Sequence, residues 1–203
     1  MRPLRVSVLV SGEGTTMAAL ADRWAPDPSP PGRIVLVLAD RSGAPALERA
    51  RARGLPAEIL SPKEAGGPDA WASALDARLV ARGTDLVILA GFLSILPPAW
   101  VDRWGDRAIN LHPSLLPRFG GPGMHGRHVH EAVLASGEGE TGVTVHVVTA
   151  SVDRGPILWQ ERLPIRAGET PETLRQRLAP LEVDALDRVV RRFADGRLPL
   201  PYR

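Results

Sequence analysis

The polar residues Asn110 and His112 have types and a spacing suited to catalysis. They lie at the end of the apolar run that begins at Ala108, and open α/β sheets bind ligands at the carboxyl ends of their strands. Side chains two residues apart on a strand point to the same face, so the amide and the imidazole can converge on one reacting atom before Pro113 turns the chain away. Such a pair suits a reaction in which charge develops on an oxygen and a proton is transferred. The alternative is that Asn110 caps a loop and His112 forms a local hydrogen bond.

Asp153 offers a carboxylate that can act together with His112. It lies in the polar connection between two strand-like runs, Val143–Val148 and Ile157–Leu163. A carboxylate beside an imidazole favours the charged imidazolium and raises its pKa. We therefore expect Asp153 to keep His112 protonated if the fold brings the two together. Otherwise Asp153 is an ordinary turn residue.

The loop Ser11–Thr16 is a candidate phosphate site. It reads Ser-Gly-Glu-Gly-Thr-Thr and lies between an apolar run, Val6–Val10, and a helical segment, Met17–Trp24. Backbone N–H groups at the start of such a helix bind phosphate. Met17 replaces the third glycine of a dinucleotide-binding fingerprint, and the loop lacks the lysine of a P-loop. A tight turn without any ligand is the alternative.

A metal site deserves consideration because all five histidines lie within residues 112–146. His128 and His130 fall on different sides of a helix expected at about 128–136, and no second ligand pair with a standard zinc spacing accompanies them. We therefore expect no metal. The glycines within 120–126 predict a tightly turned loop before that helix.

Apolar runs alternate with helical patterns along the first half of the chain, which indicates a parallel α/β sheet. The predicted strands are Val6–Val10, Ile34–Ala39, Ala57–Leu60, Leu86–Ala90 and Ala108–Leu111. The predicted helices among them include Pro45–Arg53 and Asp69–Arg82. The two late strands beside Asp153 are expected to be antiparallel. A last helix is expected with Thr170 as its cap and Pro171 in its first position, ending at about Phe193.

The composition is that of an ordinary globular protein. The chain has 203 residues, 44% hydrophobic and 24% charged, so we expect a single domain over residues 1–203. The 25 basic residues are spread among 23 acidic ones, so no nucleic-acid-binding patch is expected. The chain has no cysteine and no apolar run long enough for secretion or membrane insertion. These features favour a cytoplasmic protein that does not bind membranes.

Four motifs together resemble the phosphoribosylglycinamide formyltransferase family. They are Ser11–Thr16, Ala90–Leu96, Asn110–Pro117 and Val152–Pro156, and their order and spacing agree with the family over nearly the whole chain. The Asn-Leu-His-Pro-Ser-Leu-Leu-Pro block is typical of folate-dependent formyl transferases and hydrolases, and the early Ser-Gly-x-Gly loop narrows the resemblance to the glycinamide ribonucleotide branch. The resemblance implies an α/β fold: an open, mostly parallel twisted sheet of Rossmann-like type, with helices on both faces and an antiparallel addition near the C-terminal end.

The resemblance also implies an activity and its residues. The formyl group of 10-formyltetrahydrofolate, a co-substrate, would pass to the amino group of glycinamide ribonucleotide in de novo purine biosynthesis, without a metal. The implied catalytic residues are Asn110, His112 and Asp153. The implied glycinamide ribonucleotide site comprises Gly14, Thr15 and Thr16 at the phosphate and Glu182 at the ribose. The implied folate site comprises Leu93, Ser94, Ile95, Leu96, Asn110, Thr149, Ala150, Ser151, Val152 and Asp153.

By the same resemblance, residues 1–105 form a phosphate-binding half and residues 106–203 a catalytic and folate-binding half, both boundaries being approximate. The implied partners are small-molecule substrates, and the protein is expected to be a monomer or a homodimer.

Several residues depart from the family pattern. Glu13 and Thr16 stand where the family commonly has asparagine, and Glu13 is expected to point away from the phosphate. Ser94 replaces a frequent arginine beside the pterin, and Pro68 stands where an arginine that contacts folate is often found. The loop 119–126 is longer than in many relatives.

Other activities fit parts of the pattern. A formyltetrahydrofolate hydrolase would use the same asparagine, histidine and aspartate with water in place of the amine. A non-catalytic nucleotide-binding module would keep the sheet and the phosphate loop. A nicotinamide dehydrogenase is suggested by Gly12, Gly14 and Asp40, although the third glycine is missing.

Overall fold

The structure is a computed structural model that describes residues 2–198. In this range the strands are β1 (Leu4–Val10), β2 (Gly32–Ala39), β3 (Ala57–Ile59), β4 (Leu86–Ala90), β5 (Ala108–His112), β6 (Glu140–Val147) and β7 (Ile157–Pro164). The α-helices are α1 (Thr15–Trp24), α2 (Pro45–Arg51), α3 (Pro68–Ala81), α4 (Pro98–Trp104), α5 (Arg127–Ala135) and α6 (Pro171–Ala194), and a 3-10 helix, Gly105–Arg107, follows α4.

The strands form one open sheet in the order β3-β2-β1-β4-β5-β6-β7. Strands β1 to β5 are parallel, β6 is antiparallel to β5, and β7 is antiparallel to β6. The predicted parallel sheet with an antiparallel addition is confirmed. Because β1 and β4 lie at the centre with helices on both sides, they are buried on both faces and mostly apolar: β4 is apolar throughout, and β1 is apolar except at Arg5 and Ser7.

Side chains on opposite faces of the central strands pack into two separate hydrophobic cores. Val6 and Val8 of β1 pack into one core, whereas Leu9 packs into the other. Helices α1, α2, α5 and α6 cover the first face, and α3 and α4 cover the second. The alternation follows from the two-residue period of a strand, and it confirms helices on both faces.

Helix α4 is an element that the sequence analysis did not identify. Its two tryptophans, Trp100 and Trp104, are buried and stack with ring centroids 6.2 Å apart. Four predicted elements end earlier than expected: α2 ends at Arg51 rather than Arg53, and β3, α3 and β6 each end one residue early, at Ile59, Ala81 and Val147. The chain leaves α2 through turns closed by short-range backbone hydrogen bonds, such as that from the Gly54 N–H to the Arg51 carbonyl at 2.9 Å.

Helix α6 begins with a capping box made from two threonines. The Thr170 hydroxyl accepts a hydrogen bond from the Thr173 N–H at 3.2 Å, and the Thr173 hydroxyl accepts one from the Thr170 N–H at 2.9 Å. Threonine thus takes the place that glutamate usually fills in this motif. The helix is 24 residues long and amphipathic. Within residues 2–198, no helix combines the length and the apolar character needed to cross a membrane.

Candidate active site

A pocket of about 460 Å³ opens at the carboxyl ends of the central strands. It is bordered by the loops that follow β1, β4 and β5, by the connection between β6 and β7, and by one face of α6. The sequence-predicted site residues that line it are Gly14, Thr15, Thr16, Leu93, Ser94, Ile95, Leu96, Asn110, His112, Thr149, Ala150, Val152, Asp153 and Glu182. Ser151 does not line it, because it begins an exposed turn in which its carbonyl accepts hydrogen bonds from the Thr149 hydroxyl and the Arg154 N–H.

The structure brings Asn110, His112 and Asp153 together. Asn110 and His112 lie on β5, and Asp153 reaches them from the connection between β6 and β7. The Asn110 side-chain amide donates to Asp153 Oδ1 at 3.2 Å, and His112 Nδ1 lies 3.6 Å from Asp153 Oδ2. The His112 and Asp153 side chains are almost fully buried. An amide, an imidazole and a carboxylate therefore share one desolvated corner of the pocket.

The backbone holds Asp153 in position from both sides. Its own φ is 55°, in the left-handed region that aspartate tolerates better than most residues. Two residues later, a side chain at Gly155 would place its Cβ 1.8 Å from the Val147 carbonyl oxygen, so only glycine fits there. The Gly121 N–H donates to Asp153 Oδ2 at 2.9 Å. Burial alone would raise the pKa of Asp153, but hydrogen bonds to its carboxylate, among them that from the Gly121 N–H, hold the pKa below its ordinary value.

His146 belongs to the site, although the sequence analysis gave it no role. It pairs with Asn110 across β5 and β6. Its Nδ1–H donates to the Val147 carbonyl at 2.9 Å, so in the neutral ring Nε2 is free to accept from the Asn110 amide at 3.0 Å. The two hydrogens of the Asn110 amide thus point to His146 and Asp153. Only the strand register could have revealed this, because 36 residues separate the pair.

The expectation that Asp153 keeps His112 protonated is wrong, because burial dominates the pKa of His112. Burial lowers the pKa of His112 below its ordinary value, and the opposing effects of Asp153 and the Phe119 carbonyl do not restore it, while His146 lowers it further. His112 Nε2 must carry a hydrogen, because it lies 2.7 Å from the Phe119 carbonyl oxygen, which can only accept. Nδ1 faces Asp153 beyond hydrogen-bond distance. His112 is therefore a neutral base beside a carboxylate.

The loop Ser11–Thr16, which the sequence analysis predicts as a phosphate loop, leads into the start of α1. Gly14 precedes α1 with φ 66°, and among residues 2–198 no side chain caps the first turn. A Cβ at Gly14 would lie 2.5 Å from Ala46 Cβ, so both the backbone angle and the space require glycine. The uncapped N–H groups and the helix dipole favour an anion. Glu13 forms a surface ion pair with Arg49 of α2 at 3.1 Å, so its charge is partly neutralised away from the helix start.

Thr16 and Glu182 connect the phosphate loop to α6. The Thr16 hydroxyl donates to Glu182 Oε2 at 2.6 Å. Burial raises the pKa of Glu182, and the Thr16 hydrogen bond and the charge of Arg175 only partly offset this. The hydroxyl of Thr16 is therefore occupied, and its backbone N–H is the group left for an anion.

Arg175 is a second pocket residue that the sequence analysis did not single out. It lies four residues before Ala179 and seven before Glu182, so the three share one face of α6 and all line the pocket. Within residues 2–198, its side chain has neither an ion pair nor a hydrogen bond. Arg127, another cation at the pocket, is paired with Glu131 and Glu172. Arg175 thus supplies unpaired positive charge near the phosphate loop.

The segment after β4 presents apolar side chains to the pocket. Leu93 and Ile95 are 41% and 69% exposed, unusually high for large hydrophobic residues. Thr149, Ala150 and Val152 line the pocket from the β6–β7 connection. Exposed apolar groups in a concave site suit a flat, partly apolar ligand.

The histidines of the loop and of α5 do not form a metal centre in the part of the chain that the structure describes. His128 is on the surface beside Glu131, with Nδ1 3.4 Å from Oε2. His130 is buried, and its Nδ1 has no hydrogen-bond partner within residues 2–198. The two face different environments, as their helical spacing predicted.

Comparison with known proteins identifies the family. Residues 4–190 match the formyl transferase family. The chain is 34% identical to the phosphoribosylglycinamide formyltransferase of Escherichia coli (strain K12), over 97% of this chain and 90% of that protein. It is 41% identical to the same enzyme of Mycobacterium tuberculosis (strain CDC 1551 / Oshkosh), over 89% of this chain and 80% of that protein. The chain belongs to the phosphoribosylglycinamide formyltransferase family.

The fold comparison agrees with this membership. The structure of the phosphoribosylglycinamide formyltransferase of Coxiella burnetii in complex with CHES superimposes with a TM-score of 0.88 at 37% identity, covering 97% of this chain and 90% of that one. The chain also matches the trifunctional purine biosynthetic protein adenosine-3 of Gallus gallus at 36% identity, but it spans only 19% of the length of that protein. The resemblance to phosphoribosylglycinamide formyltransferases noted from the motifs is confirmed.

Proposed function

We propose that this protein transfers the formyl group of 10-formyltetrahydrofolate to the amino group of glycinamide ribonucleotide in de novo purine biosynthesis. The observation that carries the proposal is the convergence of Asn110, His112 and Asp153 in one pocket, between an uncapped helix start and an apolar segment. In a chain of this family, that arrangement supplies an anion site, a reacting centre and a surface for a flat ring side by side.

The two substrates would enter from opposite sides of the reacting centre. The phosphate of glycinamide ribonucleotide would bind the N–H groups of Gly14–Thr16, with Arg175 as its nearby positive charge and Glu182 at the ribose. The folate would pack its pterin between Leu93–Leu96 and the residues Thr149, Ala150 and Val152. Asn110 and His112 would then lie at the formyl carbon.

Asn110 would stabilise the negative charge that develops on the formyl oxygen when the amine attacks. Both hydrogens of its amide are engaged in the ligand-free protein, at 3.0 Å to His146 and 3.2 Å to Asp153. Donation to the formyl oxygen would replace the longer of these bonds, while His146 keeps the amide oriented. Removal of one such donor costs about a hundredfold to a thousandfold in rate.

His112 would carry the proton between the two nitrogens. The attacking amine loses one proton as the new carbon–nitrogen bond forms, and the folate nitrogen gains one as the old bond breaks, so the reaction needs no net proton. A neutral His112 can accept the first and deliver the second, and the carboxylate of Asp153 stabilises the imidazolium in between. Because Nε2 already carries the hydrogen that it donates to the Phe119 carbonyl, the free lone pair of the neutral ring is on Nδ1, and Nδ1 is the atom that would accept the proton of the amine and pass it to the folate nitrogen.

The proposal is tested by following folate absorbance with 10-formyltetrahydrofolate, in the presence and absence of glycinamide ribonucleotide. Wild-type protein, His112→Ala and a matched control, His128→Ala, are compared. His128 is a suitable control because its side chain is 70% exposed and does not line the pocket. We expect turnover that depends on glycinamide ribonucleotide in the wild type and in His128→Ala, and its loss in His112→Ala.

Two other results would replace this function. Turnover by the wild type without an acceptor identifies a formyltetrahydrofolate hydrolase. Absence of turnover under either condition identifies a non-catalytic binding module.

Several properties accompany the proposal. We propose that residues 1–203 act as one formyltransferase domain in which both halves contribute to the pocket. The protein would be cytoplasmic, would act on small molecules rather than nucleic acid or membranes, and would use no metal. A monomer and a homodimer are both compatible with a site built from one chain.

A further inference from the structure

A buried carboxylate, Asp40, lies behind the wall of the pocket. Asp40 directly follows β2, its side chain has no exposed surface, and it does not line the pocket. The proposed reaction does not use it. A buried ionised group is costly unless its hydrogen bonds are well satisfied, so the partners of Asp40 show what its burial achieves.

The partners of Asp40 come from neighbouring strands of the sheet. Its Oδ2 accepts from the Ser94 hydroxyl at 2.6 Å and from the Ser11 hydroxyl at 2.7 Å. The oxygen of the Ser11 hydroxyl in turn accepts from the Leu93 N–H at 2.8 Å. Arg41 donates from Nε to Oδ1 at 2.8 Å. One carboxylate thereby joins the residue after β1, the residue after β2 and the loop after β4.

The charge of Asp40 fixes the direction of each of these bonds. Burial alone would raise its pKa, but the hydrogen bonds from Arg41, Ser94 and Ser11 hold the pKa below its ordinary value. An ionised carboxylate only accepts, so both serine hydroxyls must point their hydrogens toward it. This leaves a lone pair of the Ser11 oxygen directed at the Leu93 N–H. The loop after β4 is therefore held at two consecutive residues, at Leu93 through its backbone N–H and at Ser94 through its side-chain hydroxyl.

We infer that Asp40 is a positioning residue that holds the segment Leu93–Leu96 in the shape that receives the reduced folate. The inference rests on the proposed function, in which this segment binds the pterin. The segment has to present Leu93 and Ile95 to solvent before the ligand arrives, and a loop with exposed apolar side chains does not hold such a shape by its own packing. The buried network supplies that constraint from the side opposite the ligand.

The test measures the dissociation constant of tetrahydrofolate by calorimetry, together with the KM values of both substrates. Asp40→Ala and Ser94→Ala should each weaken tetrahydrofolate binding about tenfold or more, the usual effect of losing a hydrogen bond to a charged group. Asp40→Asn keeps an oxygen for the two serines, and its Arg41 partner is half exposed and free to turn away. Asp40→Asn should therefore bind tetrahydrofolate nearly as the wild type does. The KM of glycinamide ribonucleotide should change little in all three variants.

A matched control is Ser7→Ala. Ser7 is a buried residue within β1 whose hydroxyl bonds that of Thr84 at 2.8 Å, away from the pocket. Loss of the Ser7 hydroxyl should lower the midpoint of thermal unfolding, as Ser94→Ala does, without weakening tetrahydrofolate binding. If Asp40→Ala does not fold, Ser11→Ala decides the question, because the Ser11 hydroxyl links Asp40 to the Leu93 N–H and Ser11 does not line the pocket. Weaker tetrahydrofolate binding in Ser11→Ala supports the inference, and unchanged binding overturns it.

Tetrahydrofolate binding that is unchanged in Ser94→Ala, or weakened equally in Ser7→Ala, overturns the inference. If the wild type nevertheless turns over normally, such a result overturns the inference about Asp40 and leaves the proposed function standing. Wild-type protein that binds no tetrahydrofolate overturns the proposed function and the inference together.

Discussion

Substitution of Gly14 by alanine should destabilise the protein and displace its phosphate loop. The new Cβ would lie 2.5 Å from Ala46 Cβ and 2.9 Å from Ala46 Cα. Ala46 is fully buried in α2, so α1 and α2 would have to separate by about 1 Å to reach a normal carbon–carbon contact. Alanine must also adopt the left-handed conformation at φ 66°. Strain and overpacking together predict a loss of about 2–5 kcal/mol in the free energy of unfolding.

The assay is urea unfolding followed by tryptophan fluorescence, because Trp24 lies at the end of α1 and is buried. Gly12→Ala is the matched control in the same loop. A Cβ at Gly12 meets no atom within 4 Å, and its φ lies outside the left-handed region. Its stability should stay within about 0.5 kcal/mol of the wild type. Where Gly14→Ala still folds, the shifted helix start should raise the KM of glycinamide ribonucleotide more than that of the folate.

Ala46→Gly should partly rescue Gly14→Ala, because it removes the nearer of the two clashing atoms and leaves the strained φ. A Gly14→Ala variant as stable as Gly12→Ala would refute the argument from close packing. An absence of rescue by Ala46→Gly would show that the contact with Ala46 Cβ does not account for the loss.

Three further predictions follow from the site. Arg175→Gln should raise the KM of glycinamide ribonucleotide about tenfold, as expected for loss of a charge-assisted hydrogen bond, and this increase in KM should vanish with the phosphate-free riboside. The control is Arg51→Gln, which removes an exposed arginine at the end of α2. An equal increase in KM with the riboside would contradict a phosphate contact. His146→Ala should lower kcat more than either KM, because the Asn110 amide loses the acceptor at 3.0 Å that orients it; unchanged kcat would remove His146 from the site. The pKa of His130 lies below its ordinary value, chiefly through burial and then through Arg175 and His112. His130 therefore takes up a proton more readily in the unfolded chain than in the folded one. The free energy of unfolding should fall as the pH drops below about 6.5, by up to about 1.4 kcal/mol per pH unit. Urea unfolding between pH 7.5 and 5.5 gives the free energy of unfolding as a function of pH. Its slope should be shallower for His130→Leu than for the wild type and unchanged for His128→Leu. Identical slopes for all three proteins would show that His130 does not cause the pH dependence.

The sequence by itself determined the central sheet and the family. The runs Val6–Val10 and Leu86–Ala90 predict buried strands because parallel strands covered on both faces are near-continuous apolar runs, here interrupted only by Ser7. The same local logic placed the start of the last helix at Thr170 and Pro171. The family followed from the Asn110–Pro117 block and the Ser11–Thr16 loop, because those motifs are continuous in the chain.

Tertiary structure decided how distant groups meet. The hydrogen bond between Asn110 and His146 depends on the register of β5 and β6, and the network of Asp40 joins three strand ends far apart in sequence. The protonation of His112 also lay beyond the sequence. Proximity to Asp153 predicted a charged ring, but burial, which only the packed fold creates, outweighs that attraction. Local patterns fix which elements form, whereas register, burial and long-range contacts determine the chemistry of the side chains they bring together.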